Sequence, residues 1–335
     1  MSFHVPLLLT LFGAAVLVPF MPGIKELRRP RDNASLPIDS DYVRNPRQFA
    51  IALRRLLMEQ ALQAPGAAAA RLPNGERVAT RRDLRVRADE TVKGIVGVSR
   101  DLDAAAGASI QEAWVWGDAT LGARVRIRGL ACDGRLVLGP DCKVGRWIDC
   151  EHDVDVGTGC DLGTSATAVG TLSVASGSTF RRLWGQPVRT LGTPSTESDA
   201  EAQVTVGEDV IWAADGLSVP GGRVFGSGIV AHGPVRIGSG AIVRGPVKAE
   251  GDLVIGDGAR IEGNVICRGS VRIGSGARVD GNVFAERDVS VGSGASIGRH
   301  GAFKTIYAAR TVVLGPGVTV HGWIVADRGG KVQEG

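Results

Sequence analysis

Five histidines and five cysteines are the residues of this 335-residue chain whose types suit nucleophilic, acid–base or metal chemistry. The histidines are His4, His152, His232, His300 and His321, and none stands in an HxxH or HExxH spacing that would seat a metal on one helix face. The cysteines, Cys132, Cys142, Cys150, Cys160 and Cys267, are odd in number and form no CxxC pair, so neither a zinc site nor a disulfide framework is indicated. Asp153 and Asp155 alternate along one stretch and point to one side of it. Without a cleft to shift their pKa they read as solvated charges rather than an acid–base pair. GSGA recurs at Gly238, Gly274 and Gly292. A phosphate loop would need a strand before those glycines and a helix after them, and neither is signalled. There is no P-loop and no Cys–His signature. The expectation is therefore no catalytic site, no cofactor and no metal.

The spacing of these residues carries a different message. Cys132 and Cys150 are 18 apart, as are Cys142 and Cys160, and Gly238, Gly256, Gly274 and Gly292 follow one another at 18. Around each of those glycines the apolar residues repeat. Three before come Val235, Leu253, Val271 and Val289; one before come Ile237, Ile255, Ile273 and Val291. Three after come Ala241, Ala259, Ala277 and Ala295; five after come Val243, Ile261, Val279 and Ile297. Nine after come Val247, Val265 and Val283; eleven after come Ala249, Cys267, Ala285 and Phe303. Two residues two apart on a strand point the same way. Three such pairs per 18 residues predict three short sides with inward residues and glycine at the corners, where the chain bends. One such turn cannot bury its own face, whereas stacked turns can. The fold class expected is an all-β solenoid, a triangular parallel β-helix, preceded by an N-terminal transmembrane helix and a short helix. The cysteines then stack inside as small apolar side chains.

The same frame fits upstream. Leu136, Leu138, Cys142, Val144, Ile148 and Cys150 fill six inner slots, as do Val154, Val156, Cys160, Leu162, Ala166 and Ala168. Leu172, Val174, Ser178, Phe180 and Trp184 make a looser turn, and Leu102, Ala108, Ile110, Trp114 and Trp116 an earlier one. The organisation expected is an anchor at 1–27, a linker with an amphipathic helix and a basic stretch at 28–91, and a first block of coils at 92–185. An excursion loop follows at 186–203, then a second block at 204–327 and a tail at 328–335. Within the second block, Lys304–Thr311 reads as a smaller excursion. The short helix starts at Pro46 with Phe49, Leu53, Leu56, Leu57 and Ala61 as its apolar stripe. Arg71–Arg87 holds six arginines, a solvated basic face or a contact for acidic lipid heads.

Val5–Ile24 carries no charged side chain. It is long enough to cross a bilayer, with Leu7, Leu8, Leu9, Leu11, Val16, Leu17 and Val18 supplying the apolar surface. Lys25, Arg28, Arg29 and Arg31 follow it, which places the body of the chain in the cytoplasm. The formal charge of +4 is too small to argue for nucleic acid.

ARIEGNV at Ala259–Val265 and ARVDGNV at Ala277–Val283, with AIVRGPV at Ala241–Val247 as a weaker copy, resemble the repeat of the bactofilins, polymer-forming bacterial cytoskeletal proteins. The likeness covers about Val235–Ala326 and extends upstream by period alone. It implies a right-handed β-helix that polymerises end to end without nucleotide. It also implies location at the inner membrane and positioning of envelope or cell-wall proteins. On that reading the chain is no enzyme, its first partner is itself, and Val318, Val320, Trp323 and Ile324 are the expected contacts at the C-terminal end. A second resemblance, to the hexapeptide acyltransferases, rests on IGSGAI and IEGNVI. It implies a left-handed helix with a catalytic histidine, for which His300 is the candidate. Handedness is not read from spacing. A third class, an exported β-helix adhesin or carbohydrate-binding protein, is opposed by the charge order around the apolar run.

Overall fold

The computed structural model describes residues 45–63, 69–71, 77–192 and 211–334, with backbone alone at 60–63 and 69–71. The apolar run Val5–Ile24 lies outside them. Among the described residues no helix is long and apolar enough to cross a membrane.

The described residues form a parallel solenoid of about 13 turns with roughly 18 residues per turn. In the second block each coil has three short strands. Val235–Ile237, Ile242–Val243 and Val247–Ala249 stack under Leu253–Ile255, Arg260–Ile261 and Val265–Cys267. The register is in phase, with Val247 on Val265 and Val265 on Val283. All three valines are fully buried. Each such side chain contributes about 1.5–3 kcal/mol by leaving water, and the columns put like shapes on like at every layer.

Two glycine columns make this stacking possible for different reasons. Gly258 bends the corner with φ of 63°, a left-handed conformation that costs an L side chain roughly 1–2 kcal/mol. Gly274 is a point of close approach: a β-carbon there would lie 2.6 Å from the Asp257 backbone nitrogen. Corner carboxylates and amides complete the backbone hydrogen bonding. Asp252 accepts from the Ser270 N–H at 2.8 Å, Asp257 from Ser275 at 2.8 Å and Asn264 from Asn282 at 2.9 Å. Each thereby satisfies a donor that the bend takes out of the ladder.

The first block is less regular because its coils vary in length. Leu102 stacks on Ala119 and Ala119 on Leu136, 17 residues apart, before the 18-residue step to Val154. Its first coil begins at Arg77, not at 92: Val78 pairs with Ile95 and Leu84 with Leu102. Most of the basic stretch is thus solenoid wall, its arginines alternating with the buried Val78 and Val86. Three tryptophans assigned inward, Trp114, Trp116 and Trp184, face out, and Trp116 is exposed. Trp114 is buried on the outer side among Ile95, Ala131 and Trp147, while Ala113 and Val115 fill the interior. Trp184 is half-buried, and its neighbour Leu183 points in.

The two blocks meet end to end. Thr179–Thr190, closing the first block, pairs antiparallel with Thr319–Val332, closing the second. Leu183 lies opposite Ile324, Trp184 opposite Trp323 and Val188 opposite Val320. Thr190 ties the seam, its hydroxyl donating to the Gly315 carbonyl at 2.7 Å and accepting from the Val318 N–H at 2.8 Å. One hydrophobic core runs through both blocks. Three expected boundaries move accordingly. The strand through Val188 and Thr190 occupies the start of the expected loop at 186–203. The tail from 328 is structural, with Val332 buried and paired to Leu314. The smaller excursion falls at 299–303 rather than Lys304–Thr311: Val283 pairs with Ile306, a step of 23, so Ala308 takes the slot expected for Phe303, which is exposed.

Candidate functional site: coil ends and a clamped helix

The chemistry-bearing residues are largely absorbed by the fold. All five cysteines are buried and free. Each thiol donates to a backbone carbonyl, as Cys150 does to Gly134 at 2.9 Å and Cys267 to Gly251 at 2.9 Å. The hydrogen bond with Cys150, then burial, pushes the Cys132 thiol up, and Cys142 and burial do the same for Cys160, while those two bonds push Cys150 and Cys142 down; burial, with Asp252 and Glu286, raises Cys267. All five lie sealed in the interior, where a structural thiol is not a reactive nucleophile. Asp153 accepts from the Thr171 N–H at 2.7 Å and Asp155 pairs with Arg135, so the two carboxylates serve the coil wall. His152 bonds the Asp133 carbonyl and His232 sits 3.1 Å from Glu250. His300 is exposed in the 299–303 excursion. His321 is half-buried, and burial, then the positive charges of Arg189, His300 and Arg278, push its pKa down. No metal-binding cluster occurs among the described residues. Gly294–Gly298, GASIG, matches the GxSxG pattern of a hydrolase elbow. Here it forms a corner followed by the two-residue strand Ser296–Ile297, so the strand-to-helix turn which that motif requires is missing.

The end contacts expected at Val318, Val320, Trp323 and Ile324 are made inside the chain. Val318, Val320 and Ile324 are buried in the seam and Trp323 is half-buried against Trp184. Sequence periodicity ranks that end as open because it is the last coil; it carries no sign that the first block turns its own last coil against it. Both remaining ends are therefore starting ends. At the first block, Ala69–Arg71 lies antiparallel along Arg77–Arg81 and covers one side. At the second block, Ile211–Ala213, Leu217–Val219 and Val224–Phe225 each pair with one later strand. Among the described residues none pairs with their other edge. Ala213, Leu217 and Phe225 are only partly buried against the core.

A helix is clamped to the outside of the first block. α1, Gln48–Gln63, lays Ala50, Leu53 and Leu57 on Val78, Ile95, Trp114, Ala131 and Trp147. Phe49, expected in the apolar stripe, lies at its flank beneath Arg146, 5.8 Å from the guanidinium carbon. Asp149, almost fully buried, accepts from Arg47 Nε at 2.7 Å, Arg54 Nη1 at 2.7 Å and the Thr167 hydroxyl at 2.6 Å. Glu151 pairs with Arg47, and Asp133 accepts from Arg54 Nε at 2.8 Å and from Trp114 Nε1 at 2.9 Å. Burial opposes charge on the two guanidiniums, but their carboxylate partners outweigh it and hold both above the usual arginine value. Sequence reading found the helix and missed this clamp, whose partners are some 80 to 100 residues apart.

Comparison with protein-family models gives no match, and no match is found among curated proteins or solved structures.

Proposed function

We propose that this chain is a self-assembling scaffold of the bactofilin kind. Its N-terminal apolar segment anchors it at a bacterial inner membrane, and it positions envelope or cell-wall partners without nucleotide, cofactor or catalysis. The observation that carries the reading is the seam. In this chain two coil ends associate by antiparallel strand pairing and bury their apolar cross-sections. The start of the second block offers the same kind of surface, three strand edges around Ala213, Leu217 and Phe225. An exposed strand edge templates pairing with another chain. Contact through starting ends replaces contact through Ile324, and it joins like to like.

The test is sedimentation and negative-stain microscopy of the full chain in detergent, with and without ATP or GTP. Polymers independent of nucleotide, shortened in Leu217→Asp, are expected. A parent protein that stays dispersed at every concentration overturns the reading. Acyl transfer from acyl-CoA that is lost in His300→Ala also overturns it, in favour of the acyltransferase resemblance.

A further inference from the structure

One face of the solenoid runs unbroken across the seam, and its two halves differ. In the second block its outward residues stack as Trp212, Val230, Lys248, Ile266, Phe284 and Tyr307. Trp212 is 71% exposed, Ile266 44% and Phe284 39%. Each strand there contributes one outward residue, so the stripe is narrow, flanked by polar corner residues such as Asn264 and Arg268. The face continues from Trp323 to Trp184, Thr167 and Asp149, which is the surface that α1 covers. Counted with the seam strand Thr179–Thr190 as the first, α1 packs on residues of the third to seventh strands on this face of the first block, Trp147 to Val78. Counted with the seam strand Thr319–Val332 as the first, Phe284 to Trp212 occupy the third to seventh strands of the second block.

The outer side of α1 is itself partly apolar. Ile51, Arg55, Met58 and Glu59 stand at i, i+4, i+7 and i+8, a single face, with Ile51 42% and Met58 53% exposed.

We infer that two copies of the chain pair side by side and antiparallel about a twofold axis at the seam, each laying the outer side of α1 on the other's Trp212–Phe284 stripe. The positions match because both surfaces lie the same number of strands from the seam. Shape matches because a stripe one residue wide suits a helix laid along it better than a flat bilayer. Charge matches as well, since Lys248 interrupts the apolar stripe and Glu59 stands on the outer side of α1. A 16-residue helix is about 24 Å long and 10 Å wide. Two such contacts therefore bury on the order of 1,000 Å² in total, the lower bound for a specific interface. The pairing is isologous, so it closes at two copies. It is independent of end-to-end growth.

The test is cysteine cross-linking of the full chain in detergent under mild oxidation. The five native thiols are buried, so introduced surface cysteines react selectively. Met58→Cys combined with Lys248→Cys in one chain should give a covalent dimer, and each alone should not. Met58→Cys with Ser290→Cys, on another face, should not. Ile266→Glu with Phe284→Glu should weaken association at least tenfold in sedimentation equilibrium while the circular dichroism spectrum stays that of the parent. Leu217→Asp should leave the cross-link intact, which separates this pairing from end-to-end assembly. No cross-link in the double variant, or equal cross-linking by either single variant, overturns the proposal. So does loss of binding to anionic phospholipid vesicles in the Ile266→Glu, Phe284→Glu variant with self-association unchanged.

Discussion

Asp149→Asn should release α1 from the solenoid while leaving the solenoid folded. The substitution keeps the shape of the side chain and removes its charge beneath two guanidiniums. Asp149 is 2% exposed at its side chain, and Arg47 and Arg54 are 17% and 13% exposed. Breaking a buried pair from one side costs about 3–5 kcal/mol. Glu151 and Asp133 remain to hold the arginines, so the lower end, about 3 kcal/mol, applies. Against this, α1 is held chiefly by Leu53 and Leu57, whose burial is worth about 3–6 kcal/mol together. An isolated helix of its length is marginal, so undocking and fraying go together. The loss converts to a roughly 100-fold fall in protection, at about 1.4 kcal/mol per tenfold. Hydrogen exchange of the Ile51–Leu57 amides reads it directly, and trypsin should cut faster after Arg54 and Arg55. The core strands should keep their protection. If the α1 amides exchange at the parent rate, the clamp contributes nothing and the reasoning fails.

Two further outcomes follow from the packing. Ile324→Arg should destabilise the monomer itself by several kcal/mol, because the guanidinium would be buried opposite Leu183 with no partner; thermal unfolding checks this, and a parent-like midpoint would mean the seam is open. Gly274→Ala should cost more than Gly258→Ala, since the first drives a methyl into the Asp257 backbone while the second meets no atom within 4 Å and bears only the roughly 1–2 kcal/mol of a left-handed alanine; denaturant midpoints rank the pair.

Periodicity made the second block legible because from Ile211 to Ile297 its columns are spaced in strict 18s and nearly every inner slot is aliphatic. Val247, Val265 and Val283 stack as that spacing requires. It failed where a second physical demand overlay the first. Trp114 is apolar because α1 covers it, and alternation cannot tell a residue buried under a helix from one buried in the interior. Phe303 fell in the right column only until five residues were inserted ahead of the next strand. The two 17-residue coils from Leu102 to Leu136 blurred the frame by one deletion each. The seam left no local trace. Val320 and Val188 look like any other inner residues, and what distinguishes them is a partner more than a hundred positions away. The clamp was illegible for the same reason, since Arg47 and Asp149 each read as ordinary surface charge.

The seam also leashes the molecule. The chain leaves it at Gly192 and must reappear at Ile211, at the opposite extremity of the second block. Six strand spacings separate those levels, about 29 Å. The intervening 18 residues reach at most about 60 Å when drawn taut. Duplicating 18-residue units could therefore lengthen this half by only about half a dozen layers before the tether ran out.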